Sequence, residues 1–236
     1  MKNLTADQIR QLNMYSIYTE QPERPLFTLQ TLLDPKQTEH VLTTVQAISG
    51  SPNRTVAASY FMRRLGMFIA MQFTNLAMYD EIWDGSHNRL VFGAKKEYGK
   101  LAVSTFADAE DWRTVDDEER QDVISRILTE ECKAVIQQMR TVASISPLTL
   151  WENIFGFLLW QYHVLLANPA TEYEARADFD MLRDDALWKG IAPHSLFATY
   201  LKGNEPSILL NTEVRTTCCF SKDVPGLMQC GFCPLR

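Results

Sequence analysis

Four of the chain's five cysteines lie in its last nineteen residues, CCFSKDVPGLMQCGFCPLR. Cys218 and Cys219 are adjacent, ten residues follow, and Cys230 and Cys233 form a C-x-x-C pair. Four thiolates are the usual ligand set both of a structural zinc ion and of a [2Fe-2S] cluster. In a reducing compartment, clustered cysteines are more often metal ligands or redox groups than structural disulfides. The sequence therefore predicts a metal centre near the C-terminus.

The spacing of these cysteines bears on which metal they bind. A zinc knuckle normally uses C-x-x-C at both ends, because the two intervening residues let both sulfurs reach one ion. Adjacent cysteines cannot form that loop, and in an extended segment their side chains point to opposite sides. A centre with two irons presents more widely spaced terminal positions. The pattern favours iron and sulfide, and leaves structural zinc, disulfides and unliganded thiols as alternatives.

Composition and charge exclude several classes of function. The chain has 236 residues with an apolar fraction of 46%, enough for a sizeable core that needs no cysteine staples. Its formal net charge is -6 and it has no long basic run, so nucleic acid and anionic membrane surfaces are not expected partners. The N-terminus lacks the apolar run of a secretory signal, and the stretch NIFGFLLWQYHVLLA is too short and too polar to span a bilayer. We expect a cytoplasmic protein.

Helix signals dominate the chain that must position the cysteines. Thr5 with Gln8 has the spacing of a capping box. Asp34 before Pro35 predicts the start of a second helix, and Gly50 is expected to end that helix. The next helix, from about Thr55, is apolar on most sides and is expected to be central. Further helices are predicted after Asp116, from Ser146 and Pro147 to Ala167, from Thr171 to about Ala186, and over about 194–201.

Between about residues 76 and 106 the pattern changes to short segments rich in aromatic and β-branched residues, which predicts a small antiparallel β-meander. The fold class expected is α+β, mainly α-helical: one domain with this meander and a C-terminal iron–sulfur loop. Residues 1–212 would form the helical body and residues 213–236 the metal-binding segment of the same domain. Cys132 lies in a helical apolar stripe, so it is expected to be a buried core residue.

No other catalytic machinery is visible in the sequence. We find no nucleophile triad or paired carboxylates, and no G-x-G-x-x-G loop for a nicotinamide or flavin cofactor. His163 lies in an apolar helix and is expected to be a core residue, and the other histidines are scattered. These absences are consistent with electron transfer through the cysteines.

The C-terminal arrangement R-x-x-C-C-x10-C-x-x-C-P resembles the signature of the FhuF-type ferric siderophore reductases. It comprises Arg215, Cys218, Cys219, Cys230, Cys233 and Pro234. Two weaker stretches agree in order: ASYFMRRLG resembles the family's early helix with Ser and Arg, and SPLTLWENIFGFL resembles its Leu-Trp-Gly-Asn segment. Glu152 stands where a glycine is common in that segment.

The resemblance implies that the four cysteines hold one [2Fe-2S] cluster, which reduces iron(III) in an imported siderophore so that iron(II) is released. Hydroxamate or citrate-hydroxamate chelates would be the substrates, and a ferredoxin or flavodoxin the electron donor. Any association with the membrane would be transient and at its inner face. The candidate substrate-binding residues are Arg215, Arg63, Arg64, Trp151 and Asn153. Two alternatives stay open. One is a siderophore-binding or scaffold protein with structural zinc in the four-cysteine site. The other is a redox sensor, against which stands the lack of a recognisable DNA-binding element in this sequence.

Overall fold

The computed structural model describes residues 4–97 and 99–235. One continuous cluster of buried apolar side chains reaches from Leu4 to Val224. At its centre α4 (Arg54–Tyr79) packs along α7 (Pro147–Leu166). Side chains on most faces of α4 are buried, which confirms the prediction of a central helix.

Helices α4 and α7 approach each other closely at Gly66. A Cβ atom at this position would lie 3.0 Å from the carbonyl oxygen of Asn153 and 3.1 Å from the Cα of Ile154. Both distances are tighter than ordinary packing, so the absence of a side chain at Gly66 lets the two helices touch through their backbones. This contact brings Asn153 against the part of α4 that carries Ser59 and Arg63.

The other helices surround this pair. They are α1 (Ala6–Met14), α2 (Leu29–Leu33), α3 (Thr38–Ser49), α5 (Arg120–Arg126), α6 (Ala134–Arg140), α8 (Glu172–Arg183), α9 (Leu196–Leu201) and α10 (Pro206–Leu209). A π-helical turn, Ile127–Lys133, joins α5 to α6, and the fully buried Cys132 lies within it.

The local signals at several helix ends are confirmed. Thr5 and Gln8 form the capping box of α1, Gly50 ends α3 with a φ of +68°, and Ser146 caps α7 ahead of Pro147. The start predicted at Asp34 is wrong, because α3 begins at Thr38. Asp34 instead closes α2 and accepts a hydrogen bond from the backbone N–H of Lys36, which makes a turn.

Strands form two small sheets. In the first, β1 (Ile17–Tyr18) pairs parallel to β5 (Lys100–Ala107), and β4 (Leu90–Glu97) pairs antiparallel both to β5 and to β2 (Pro25–Thr28). Hairpin β4–β5 lies in the predicted β region. The third strand of that region, β3 (Glu81–Trp83), pairs instead with β6 (Trp112–Thr114) in a second sheet.

These elements confirm the α+β, mainly α-helical class with a small sheet. Residues 76–79, placed in the β region by sequence, still belong to α4. In residues 4–97 and 99–235 there is no helix with the length and apolar character needed to cross a membrane.

Candidate metal centre

The chain after α10 contains the four clustered cysteines, and we call residues 213–235 the cysteine segment. Its one short helical turn, Ser221–Asp223, packs against α4. The remainder is irregular, so side chains of α4 and α7 must determine its path.

Cys219 lies against the side chain of Arg63 on α4. The Nη1 group of Arg63 donates to the sulfur of Cys219 at 3.5 Å and also to the hydroxyl of Ser221, which itself lies 3.1 Å from that sulfur. A hydrogen bond with Cys230, together with those from Ser221 and the charge of Arg63, lowers the pKa of Cys219 to about 4. The same contact raises the pKa of Cys230. These contacts therefore favour the thiolate form of Cys219 over that of Cys230.

Backbone amides point at the other two sulfurs. The N–H of Phe220 donates to the sulfur of Cys218 at 3.3 Å, and the N–H of Leu235 donates to that of Cys233 at 3.4 Å. The C-x-x-C residues form a turn in which the N–H of Cys233 donates to the carbonyl of Cys230. Amide donors of this kind stabilise negative charge on sulfur and tune metal–thiolate centres.

The four cysteines fit a metal–thiolate centre in ligand type and number, and hydrogen-bond donors reach the sulfurs of Cys218, Cys219 and Cys233. Their present positions do not complete a coordination shell. Across the part of the chain that the structure describes, no three Cys, His, Asp or Glu side chains are gathered closely enough to hold a metal ion. Cys219 and Cys230 are in contact, and Cys218 and Cys233 would have to join them.

Arg215, the first sequence candidate for substrate binding, is committed to the protein itself. It is 5% exposed, and four of its five N–H groups donate to Thr149, Glu152, Asn153 and Thr217. It also lies 3.7 Å from a carboxylate oxygen of Glu152. Arg215 therefore joins the cysteine segment to the first turns of α7.

Glu152 holds the two residues immediately before the cysteines. One carboxylate oxygen accepts from the backbone N–H and the hydroxyl of Thr216, each at 2.8 Å. The other accepts from the N–H of Thr217 at 3.0 Å and from its hydroxyl. Glu152 is thus a buried clamp on the backbone that leads to Cys218.

Asn153 connects α7 to the cysteine segment through α4. Its Nδ2 donates to the carbonyl of Ser59 at 3.1 Å and to its hydroxyl at 2.9 Å. That hydroxyl donates in turn to the carbonyl of Cys219 at 2.7 Å. Ser59 and Asn153, on the two weaker stretches of family resemblance, therefore fix the backbone at Cys219.

Two other candidates point away from the cysteines. Arg64 forms an ion pair with Glu97 at 2.6 Å and also donates to the carbonyl of Val103, so it anchors the sheet. Trp151 is buried in an aromatic cluster, with its ring centroid 5.6 Å from that of Phe155 and 5.4 Å from that of Trp188. Neither side chain is available to a substrate at the cysteines.

A cavity of about 490 Å³ adjoins the C-x-x-C turn. Its apolar side includes Phe157, Trp160 and Met228, and its polar side includes Arg63 and Cys230. This volume falls in the range of small-molecule sites. Within the described residues no carboxylate is in ion-pair contact with Arg63, which makes it the available cation of the cavity.

Sequence reasoning missed the aromatic side of this cavity. Trp160 is 45% exposed although it lies in the most apolar helix of the chain. Trp160 lines the cavity together with Leu227 and Met228 of the cysteine segment, so its exposure depends on where that segment packs, which the sequence does not give.

Comparison with known proteins does not assign the chain to a family: no family model matches it, and neither does any curated protein.

Proposed function

We propose that this protein is a ferric siderophore reductase, similar to the FhuF-type enzymes, in which Cys218, Cys219, Cys230 and Cys233 hold a [2Fe-2S] cluster. The observation that carries the proposal is the position of the cysteine segment. Donors from α4 and from the backbone point at its sulfurs, and a cavity with one available cation opens beside Cys230.

The cluster would supply a carrier for one electron. Arg63 would bind an oxygen of the incoming chelate, because a guanidinium pairs well with carboxylate and hydroxamate oxygens. Phe157 and Trp160 would pack against the apolar part of the ligand and exclude water. Glu152 and Arg215 would keep the cysteine segment against the helices.

The reaction is the transfer of one electron to iron(III) within its chelate. Hard oxygen ligands hold iron(II) far less tightly than iron(III), so reduction alone releases the metal and no general acid or base is needed. The substrate would be a hydroxamate or citrate-hydroxamate chelate, and the electron would come from a separate donor such as a ferredoxin or flavodoxin. The reaction would take place in the cytoplasm, where such donors occur.

Metal analysis of anaerobically purified protein tests this function. We expect about two iron atoms per chain, visible absorption that bleaches on one-electron reduction, and recovery of that absorption when ferric siderophore is added. Cys219→Ala should lose this spectrum, whereas the matched variant Cys132→Ala should keep it, because Cys132 is buried in the helical body. A colourless protein with one zinc ion would overturn the reductase and leave a siderophore-binding protein with a structural metal.

A further inference from the structure

Tyr200 of α9 carries a buried hydroxyl group without a partner. The residue is 4% exposed, and its ring packs against Phe155 with centroids 5.5 Å apart. Among the described residues, no hydrogen-bond partner reaches its oxygen. Folded proteins rarely leave such a group unpaired, because burial removes its hydrogen bonds to water and nothing replaces them.

The surroundings of this hydroxyl lead to the cysteine segment. A Cβ placed on Gly156 of α7 would lie 3.8 Å from the Tyr200 oxygen and 3.5 Å from the ring of Phe232. Phe232 lies inside the C-x-x-C turn. Gly156 therefore leaves the space in which the Tyr200 hydroxyl and the turn approach each other, and Gly156 also lines the cavity.

Cys230 of the same turn is among the groups that affect the pKa of this hydroxyl. Burial raises the pKa of Tyr200 well above its usual value, and nearby Arg215, Glu152 and Cys230 affect it less. The phenol therefore keeps its proton at neutral pH and can donate it in a hydrogen bond, and a negatively charged acceptor makes the stronger bond. A metal-bound thiolate is such an acceptor.

We propose that Tyr200 is a positioning residue of the metal centre, whose hydroxyl donates a hydrogen bond to a thiolate of the C-x-x-C turn once the four cysteines bind metal. The inference rests on the proposed metal centre, but it does not depend on which chelate is reduced. It accounts for the buried hydroxyl that has no partner among the described residues.

Tyr200→Phe tests this role because it removes only the hydroxyl and keeps the ring. In the metal-free chain we expect an unchanged or higher thermal midpoint, since an unpaired buried group is lost. In the metal-loaded chain we expect the metal affinity, measured by loss of metal to a competing chelator, to fall about 10-fold to 100-fold below that of wild type, the usual range for a lost partner of a metal ligand.

Tyr162→Phe is the matched control. Tyr162 also carries a buried hydroxyl without a described partner, but the charged groups that affect its pKa are Asp178 and Arg120 rather than a cysteine. It should change the stability of the metal-free chain in the same direction and leave metal loss unaltered. Equal metal loss from Tyr200→Phe and wild type would overturn the role of Tyr200 alone. A wild-type chain that binds neither iron nor zinc would overturn the metal centre as well.

Discussion

Glu152→Gln should release the backbone that leads into the cysteines. The substitution keeps the shape of the side chain but replaces one carboxylate oxygen by an NH2 group. That group cannot accept the hydrogen bonds now given by Thr216 or by Thr217, whichever oxygen it replaces. The variant also removes the negative charge 3.7 Å from the buried guanidinium of Arg215.

The expected loss is large for a single isosteric change. Removing one partner of a buried ion pair typically costs 3–5 kcal/mol, because the other charge stays buried and uncompensated. Arg215 keeps its four neutral acceptors, so we expect the low end, about 3 kcal/mol. For a domain of this size, each kcal/mol moves the thermal midpoint by about 2–4 °C. The variant should therefore unfold about 6–12 °C below wild type.

Calorimetry of the full chain measures this shift, and hydrogen exchange locates it. At least one of the amides of Thr216 and Thr217 should exchange faster in Glu152→Gln, because the NH2 group takes the place of its acceptor. Glu213→Gln is the control: Glu213 is exposed in the same segment, so its loss should stay within about 0.5 kcal/mol. A thermal midpoint within about 2 °C of wild type, or unchanged protection of both amides, would refute the clamp.

Three further substitutions test other parts of the structure. Arg63→Gln should raise the pKa of Cys219, whereas Arg64→Gln should leave that pKa unchanged. The ultraviolet absorbance of the thiolate measures the pKa, and equal shifts in the two variants would contradict the contact between Arg63 and Cys219. Gly66→Ala should lower the free energy of unfolding by about 1–3 kcal/mol, because the added Cβ overlaps the backbone of α7. Gly156→Ala is the control, because its added Cβ meets ordinary contacts. A loss in Gly66→Ala no larger than that in Gly156→Ala would contradict the close approach of the two helices. Burial raises the pKa of Glu131 from 4.5 to about 7, so its stabilising contribution is complete below about pH 4.5 and is lost as the pH rises through 7. Glu131→Gln should therefore remove a decline of about 3 kcal/mol between these pH values in chemical unfolding, and an unchanged slope would contradict this.

Local signals predicted most of the helices. The capping box at Thr5, the left-handed glycine at position 50 and the Ser-Pro start of α7 each act within a few residues, so the sequence contains the whole interaction. Asp34 misled because an aspartate before proline also suits a turn. Helix α3 begins instead at Thr38 without a side-chain cap, and the Thr38 hydroxyl donates to the carbonyl of Leu32 in α2.

Strand pairing could not be read in the same way. Strand β1 has two residues and no visible pattern, and it is a strand because Ile17 lies beside Thr105, far along the chain. Strand β3 pairs with β6 instead of with its neighbours in sequence. Such pairings depend on which strand edges the helices leave uncovered. The alternation of apolar and polar residues within one segment does not tell which edge it will pair with.

The roles of the arginines show why the candidate cysteines were easier to identify from sequence than the side chains around them. Spacing identifies the cysteines because one short segment contains all four. Proximity in sequence also favoured Arg215 as the substrate contact, but a buried guanidinium needs several acceptors, and α7 supplies Arg215 with three from 62 to 66 residues away. Arg63 is left with the hydroxyl of Ser221 and a sulfur, so its charge faces the cavity without a carboxylate from the described chain. An arginine stays available to a ligand only if the fold brings few acceptors to it. Those acceptors are known only from the tertiary structure.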